Sequence, residues 1–289
     1  MVNDACLSRK RGGGLFSIGR RIRRAGRLLR SALTGRERCE ACGFRGAKQR
    51  VPVVSDELAD QWKLTDEWRI YFDAREGVAC VRCGCNERAS HQAAAVLDAI
   101  RDRVPVTGSS LAAAMRDSRA WSLRIAEINS AHGLHQFLRR SANVVYSEFG
   151  SRDPAVPSED LLALTYGDAC FDIVITSETL EHVPDCDRAN HEILRVLKPG
   201  GVHVFTVPVV WDGRRTVQRA RVEAGTLCHL LPPSYHGGAE EKKEDFLVFY
   251  EFGDDVVERC RSAGFDIIVR RDPLNPALAT FMATKPPAR

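Results

Sequence analysis

Phe171-Asp-Ile-Val-Ile-Thr-Ser-Glu-Thr-Leu-Glu-His-Val-Pro-Asp185, running on to Arg195-Val-Leu-Lys-Pro-Gly-Gly-Val-His-Val-Phe-Thr-Val-Pro208, reads as a buried strand, a loop, a helix and a second buried strand. Ile173, Val174 and Ile175 form the unbroken apolar run expected of a strand covered on both faces. The polar Thr176, Ser177 and Glu178 follow at its carboxyl end, where open α/β sheets bind their ligands. From about Cys186 to Leu197, residues Ala189, Ile193 and Val196 recur at spacings of four and three, which predicts a helix with one apolar stripe. Lys198 is expected in its last turn, with Pro199-Gly200-Gly201 as the stop. Together these form the central unit of a parallel α/β sheet.

At these residues the chain resembles the class I S-adenosylmethionine (SAM) dependent methyltransferases, and among them a bacterial type 11-like subgroup. Their fourth strand commonly reads FDxV, with a loop containing LEHV and a helix closing on RxLKPGG. The resemblance covers residues from about 120 to 289. It implies a Rossmann-like α/β fold of seven strands, the last antiparallel, with SAM as methyl donor and S-adenosylhomocysteine as product.

Working outward, 289 residues allow one core of roughly 200 residues and a small additional module. A hydrophobic content of 44% with 28% charged residues is that of a soluble globular protein. No run of about 18 apolar residues is present to span a membrane, and the basic N-terminus lacks the apolar stretch of a signal peptide. A cytoplasmic protein is expected. Charge is uneven. Residues 1 to 38 carry eleven Lys or Arg against Asp4 and Glu37, so the remainder is acidic although the whole chain stands at +4. In the tail, residues 1–37, Leu15, Ile18, Ile22, Ala25, Leu29 and Ala32 recur at three and four among arginines. That pattern fits a basic amphipathic helix touching an anionic membrane or nucleic acid, or equally a solvated arm.

Four of the ten cysteines fall in two pairs, Cys39-Glu-Ala-Cys42-Gly43 and Cys80-Val-Arg-Cys83-Gly84. Glycine after the second cysteine of each permits the tight turn of a zinc knuckle. Four thiolates suit a closed tetrahedral, structural Zn²⁺ site. Residues 38–89 are therefore expected to form a zinc-knuckle module, joined to a methyltransferase domain over 90–289 with a substrate-covering insertion at about 211–248. Ser90 is the candidate N-cap of a helix over 90 to 103, and the irregular stretch of 211–248 precedes a helix over 254 to 263.

The cofactor turn is expected where strand 122 to 128 meets Asn129-Ser-Ala-His-Gly133. The family reads E/D-x-G-x-G-x-G here; Glu127 and Gly133 match, whereas Asn129 and Ala131 replace glycines. Asn tolerates left-handed backbone, and Ala adds only a methyl group. Strand 143 to 148 ends on Glu148, where nucleotide folds place the carboxylate that accepts from ribose hydroxyls. Glu159-Asp160-Leu161 resembles the family's third motif, with Asp160 near the adenine amino group and the amide of Leu161 on the ring; a helix or turn start is the alternative. Thr176 and Ser177 complete the cofactor side.

Methyl transfer is an in-line displacement, helped by proximity and, for a hydroxyl acceptor, by proton removal. His182 of the LEHV loop suits a general base or an orienting group. His236, in Pro232-Pro-Ser-Tyr-His-Gly237, lies in a segment that resembles the subgroup's PxxYHG and is a substrate-side candidate, or a turn histidine. A small-molecule or glycan acceptor, through oxygen, is expected. Rival readings are a non-catalytic scaffold built on a degenerate SAM fold and an RNA methyltransferase. Neither the Asn/Asp-Pro-Pro-Tyr/Phe motif of amino methylation nor a Pro-Cys nucleophile is present.

Overall fold

The computed structural model describes residues 38–236 and 246–287, so the basic tail and Gly237 lie outside the described residues. In chain order the helices are α1 (Asp56–Gln61), α2 (Asp66–Gly77), α3 (Glu87–Arg101), α4 (Leu111–Ala114), α5 (His135–Leu138), α6 (Cys186–Val196) and α7 (Val256–Ser262). The strands begin with β1 (Lys48–Arg50), β2 (Val78–Cys80), β3 (Ile125–Ile128), β4 (Val144–Ser147), β5 (Phe171–Ser177) and β6 (Leu197–Thr206). They continue with β7 (Val217–Gln218), β8 (Ala220–Glu223), β9 (Thr226–His229), β10 (Tyr250–Glu251), β11 (Asp266–Arg271) and β12 (Ala279–Thr284).

Alternation along the strands sorts the core into two layers around the sheet. Ile125, Ile173, Ile175, Val202 and Val204 pack under α3, α4 and α5. Ala126, Ile128, Val174 and Phe205 face Ala189, Ile193 and Val196 of α6 and Val256 and Cys260 of α7. Each large apolar side chain so buried contributes about 1.5–3 kcal/mol. The sheet order is β11-β12-β6-β5-β3-β4, with β4, β3, β5 and β6 parallel and β12 antiparallel to both β6 and β11.

Among the described residues the sheet has six strands where seven were expected. The missing one, beyond β4, is reduced to a single parallel bridge between Glu148 and Ser158. Its chain reads Pro154-Ala-Val-Pro157, and proline can neither donate to a ladder nor let its predecessor relax freely.

Three further expectations change. Helix α6 stops at Val196, before Pro199. The Pro-Gly-Gly segment lies inside β6, where the register jumps from Phe171↔Leu197 to Ile173↔Val202. A Cβ on Gly201 would stand 2.8 Å from the Lys198 carbonyl and 3.1 Å from that of Phe171, so glycine is needed in this bulge. Lys198 is therefore a strand residue, its Nζ donating to Asp172 Oδ2 at 2.8 Å. Helix α3 starts earlier than Ser90: Asn86 caps it by accepting from the Ala89 amide at 2.9 Å, and Ser90 Oγ accepts from the Glu40 amide instead. The stretch 211–248, expected to be irregular, holds β7 and the antiparallel β8–β9 hairpin.

Two core histidines predict the acid sensitivity of the fold. His203 of β6 is fully buried, meets Thr176 Oγ1 at 2.8 Å and stacks on Phe205. Burial pushes it down to about 3, and burial with the Arg270 charge pushes His91 of α3 down to about 4, both from 6.5. At each of these two sites the unfolded chain takes up, below pH 6.5, a proton that the folded chain refuses, so their contribution is intact above that pH and is lost as pH falls towards 4. At pH 5 each should cost about 2 kcal/mol. Urea midpoints at pH 7 and pH 5 check this, and His203→Asn should flatten the dependence.

Candidate functional site

Two copies of one turn assemble the cysteines. Gly43 N donates to Cys39 O at 2.7 Å and Cys39 N to Phe44 O at 2.9 Å; Gly84 N to Cys80 O at 2.8 Å and Cys80 N to Cys85 O at 2.9 Å repeat it. Gly43 and Gly84 adopt φ of +80° and +75°, which the turn requires. The turns face each other through the β1–β2 pairing. The Sγ atoms of Cys39 and Cys83, and of Cys42 and Cys80, are 3.7 Å apart, and all four lie within 4.8 Å of one another. Sulfurs placed tetrahedrally at about 2.3 Å from one Zn²⁺ would be roughly 3.8 Å apart, so this donor set fits the ion. Cys85, just after the second pair, is buried in the core beside it.

The second turn leans directly on the loop after β3. Gln136 Nε2 donates to Cys83 O at 3.0 Å and Gly133 O at 2.7 Å, and a Cβ on Gly133, φ +83°, would stand 3.4 Å from Cys85 Sγ. Glu127 is fully buried and spans this loop: Oε1 accepts from the Ala131 amide at 3.2 Å, and Oε2 faces His135 Nδ1 at 2.8 Å. Asn129 takes φ +59°, and its Oδ1 accepts from the Phe149 amide at 2.8 Å, clipping the β3 loop to the β4 loop. Ala131 is wholly buried.

Glu148 closes β4, with its amide on Pro157 O at 3.0 Å and its Oε1 accepting from the Tyr146 hydroxyl. Asp160 is exposed and caps its own turn through the Leu162 amide at 2.8 Å, whereas Leu161 is buried in the core. Thr176 turns its hydroxyl to His203, and Ser177 Oγ meets Thr206 Oγ1 at 3.1 Å. Because β4, β3 and β5 are adjacent and parallel, Glu148, the 129–133 loop and Ser177 share one carboxyl edge of the sheet.

An acid–histidine cluster follows β5. Glu178 adopts φ +48°, a strained conformation that aims its carboxylate at Arg75. Arg75, 1% exposed on α2, donates to both oxygens of Glu178 at 2.7 Å. Burial opposes ionisation of Glu178, yet Arg75 and Arg88 hold it down at about 2. Arg88 donates to Glu76 at 2.8 Å and to Ser177 Oγ. Three residues on, Glu181 is fully buried, and neither carboxylate oxygen has a hydrogen-bond partner among the described residues. Burial and the Glu178 charge push it up to about 7.

His182 Nδ1 donates to Leu247 O at 3.1 Å, which leaves Nε2 as a lone pair 3.8 Å from Glu181 Oε1. Burial and the facing His236 ring lower His182 to about 3. His236 Nε2 lies 3.7 Å from the same oxygen, and its ring stands edge-on to Trp62 at 5.2 Å. Trp62 in turn donates to Ser234 Oγ. His182 and His236, distant in sequence, thus meet with ring centroids 4.9 Å apart.

Arg75, Arg88 and Trp62 were missed as site residues in the sequence, and Glu178 was read only as part of the polar strand end. The signal for Arg75 is its place on the stripe Trp68, Phe72, Arg75 of α2, an arginine where the helix buries its apolar face.

The family described as "Methyltransferase domain" matches residues 106–205. A demethylmenaquinone methyltransferase of Streptomyces avermitilis is 26% identical over 220 residues, 64% of this chain and 91% of the relative. The methyltransferase GfsG of Streptomyces halstedii is 32% identical over 126 residues, 41% of this chain and 43% of its own. Among solved structures, the [4+2]-cyclase SpnF superposes with a TM-score of 0.42 at 16% identity, covering 83% of this chain and all of that one. Residues 106–205 carry a methyltransferase domain, and the chain is a SAM-dependent methyltransferase.

Proposed function

We propose that the enzyme moves the methyl group of SAM to a hydroxyl oxygen of a small-molecule or glycan acceptor, with a structural Zn²⁺ held by Cys39, Cys42, Cys80 and Cys83. The observation behind the acceptor side is the fixed tautomer of His182. With Nδ1 donating to Leu247, Nε2 is free to take or orient a proton beside the carboxyl edge of the sheet. Residues Asn129 to Gly133 and Glu148 cradle the cofactor in this reading, and the Arg75, Trp62 and His236 side closes over the acceptor. When bound, SAM supplies the electrophilic methyl group; the protein orients the acceptor. The free cysteines among the described residues suit a reducing, cytoplasmic compartment, where no described helix is long and apolar enough to cross a membrane. The basic tail is assigned peripheral contact with an anionic membrane or nucleic acid.

Calorimetric titration with SAM and S-adenosylhomocysteine tests the cofactor reading. Two ribose hydroxyl bonds to a carboxylate are worth about 1.5–3 kcal/mol each, so Glu148→Ala should weaken SAM by at least roughly tenfold. An unchanged affinity removes Glu148 from the site, and no binding by the wild-type chain overturns the proposal. His182→Ala should lower turnover more than SAM affinity.

A further inference from the structure

The geometry points to a second cation centre, distinct from the cysteine cluster: Glu181, His182 and His236 hold a first-row divalent metal ion. One ligand atom from each comes within 4.8 Å of the others. Glu181 is 0% exposed, and among the described residues both its oxygens are without a hydrogen-bond partner, as are both ring nitrogens of His236. A desolvated carboxylate in this state costs several kcal/mol unless a positive charge meets it. The nearby guanidinium does not supply one, because Arg75 spends both its Nη atoms on Glu178.

The spacing argues against a shared proton as the whole answer. Glu181 Oε1 stands 3.8 Å from His182 Nε2 and 3.7 Å from His236 Nε2, beyond hydrogen-bond length. Donor atoms about 2.1–2.2 Å from one ion, at angles of roughly 110–120°, are about 3.4–3.8 Å apart. His182 also carries the outer contact usual for a metal ligand: Nδ1–H on a backbone carbonyl, which presents Nε2 inward. Trp62, edge-on to His236, holds the other imidazole in place.

Two imidazoles and one carboxylate favour Mn²⁺, Fe²⁺, Co²⁺ or Zn²⁺ over the oxygen-loving Mg²⁺ and Ca²⁺. Three protein ligands leave coordination positions for the acceptor. Resting on the hydroxyl-acceptor reading above, the ion would bind and orient the acceptor oxygen and lower its pKa, so that the proton leaves to solvent and His182, its Nε2 engaged as a ligand, orients the acceptor through the ion rather than taking the proton itself. An oxygen lone pair then forms the bond to the methyl carbon as the carbon–sulfur bond breaks, its electron pair passing to sulfur to give S-adenosylhomocysteine.

The test titrates Co²⁺ into protein whose cysteine site is already filled with zinc. One further equivalent should bind, with weak visible d–d absorption and no thiolate-to-cobalt band. Glu181→Gln and His236→Asn should each weaken it by about tenfold or more, with SAM affinity kept as the check that the fold is intact. Uptake of no additional Co²⁺ or Mn²⁺ by the wild-type chain at millimolar concentration would overturn the site in favour of a proton shared by Glu181 and His236. Co²⁺ binding to both folded variants as tight as to wild type would overturn it too. Failure of the wild-type chain to bind SAM in the same preparation would instead strike the methyl-transfer reading and leave the cation result standing.

Discussion

Replacing Cys39 and Cys42 together by serine is expected to release the zinc, unfold the residues between the two cysteine pairs and abolish measurable SAM binding. Apparent zinc free energies in such four-ligand sites are about 10–16 kcal/mol, far more than a small module can replace by packing. The effect should reach the cofactor because the second knuckle supports the loop after β3 through Gln136 on Cys83 O. Metal analysis and calorimetry on the same sample check both parts. Full zinc occupancy in the variant would refute the ligand assignment. Loss of zinc with unchanged SAM affinity would show that the loop keeps its shape without the knuckle.

Arg75→Met should destabilise the fold by about 3 kcal/mol, the cost of removing the buried guanidinium from the half-buried Glu178 carboxylate and leaving it only the more distant Arg88. The damage should be specific to the pair. Adding Glu178→Gln should recover most of the loss, since a neutral amide no longer demands a guanidinium, and methionine fills much of the arginine's volume. Urea midpoints of the wild type, both single variants and the double variant give the coupling. A loss below about 1 kcal/mol for Arg75→Met would mean that water reaches the pair and screens it.

Much of the central domain was legible because its signals are local. The apolar run Ile173 to Ile175 could only be a covered strand, and its polar end marked the functional edge. The cysteine pairs announced their own turns through Gly43 and Gly84. Asn129 was legible as a residue tolerant of positive φ, but not as the clip that accepts from Phe149, because that partner comes from another loop. Pro199-Gly200-Gly201 misled: breaker residues serve a bulge as well as a helix stop, and only the pairing with Phe171 and Lys285 decides. The acid–histidine cluster was half visible. His182 and His236 stood out singly, but their meeting on Glu181 depends on a turn 50-odd residues away in the chain, and Arg75 arrives from a different module altogether.

The strand beyond β4 that is reduced to one bridge also governs how the molecule keeps company. A strand at the rim of a sheet offers unpaired amides and carbonyls to any passing chain, a standing invitation to aggregate. Beyond β4 that rim is occupied by the Pro154–Pro157 segment, too poor in donors to extend the ladder past Ser158. At the opposite rim, β11 presents Asp266, Arg270 and Arg271, all exposed, around a lone Ile268. Proline at one margin and charge at the other work against recruitment of further strands at either rim of the sheet.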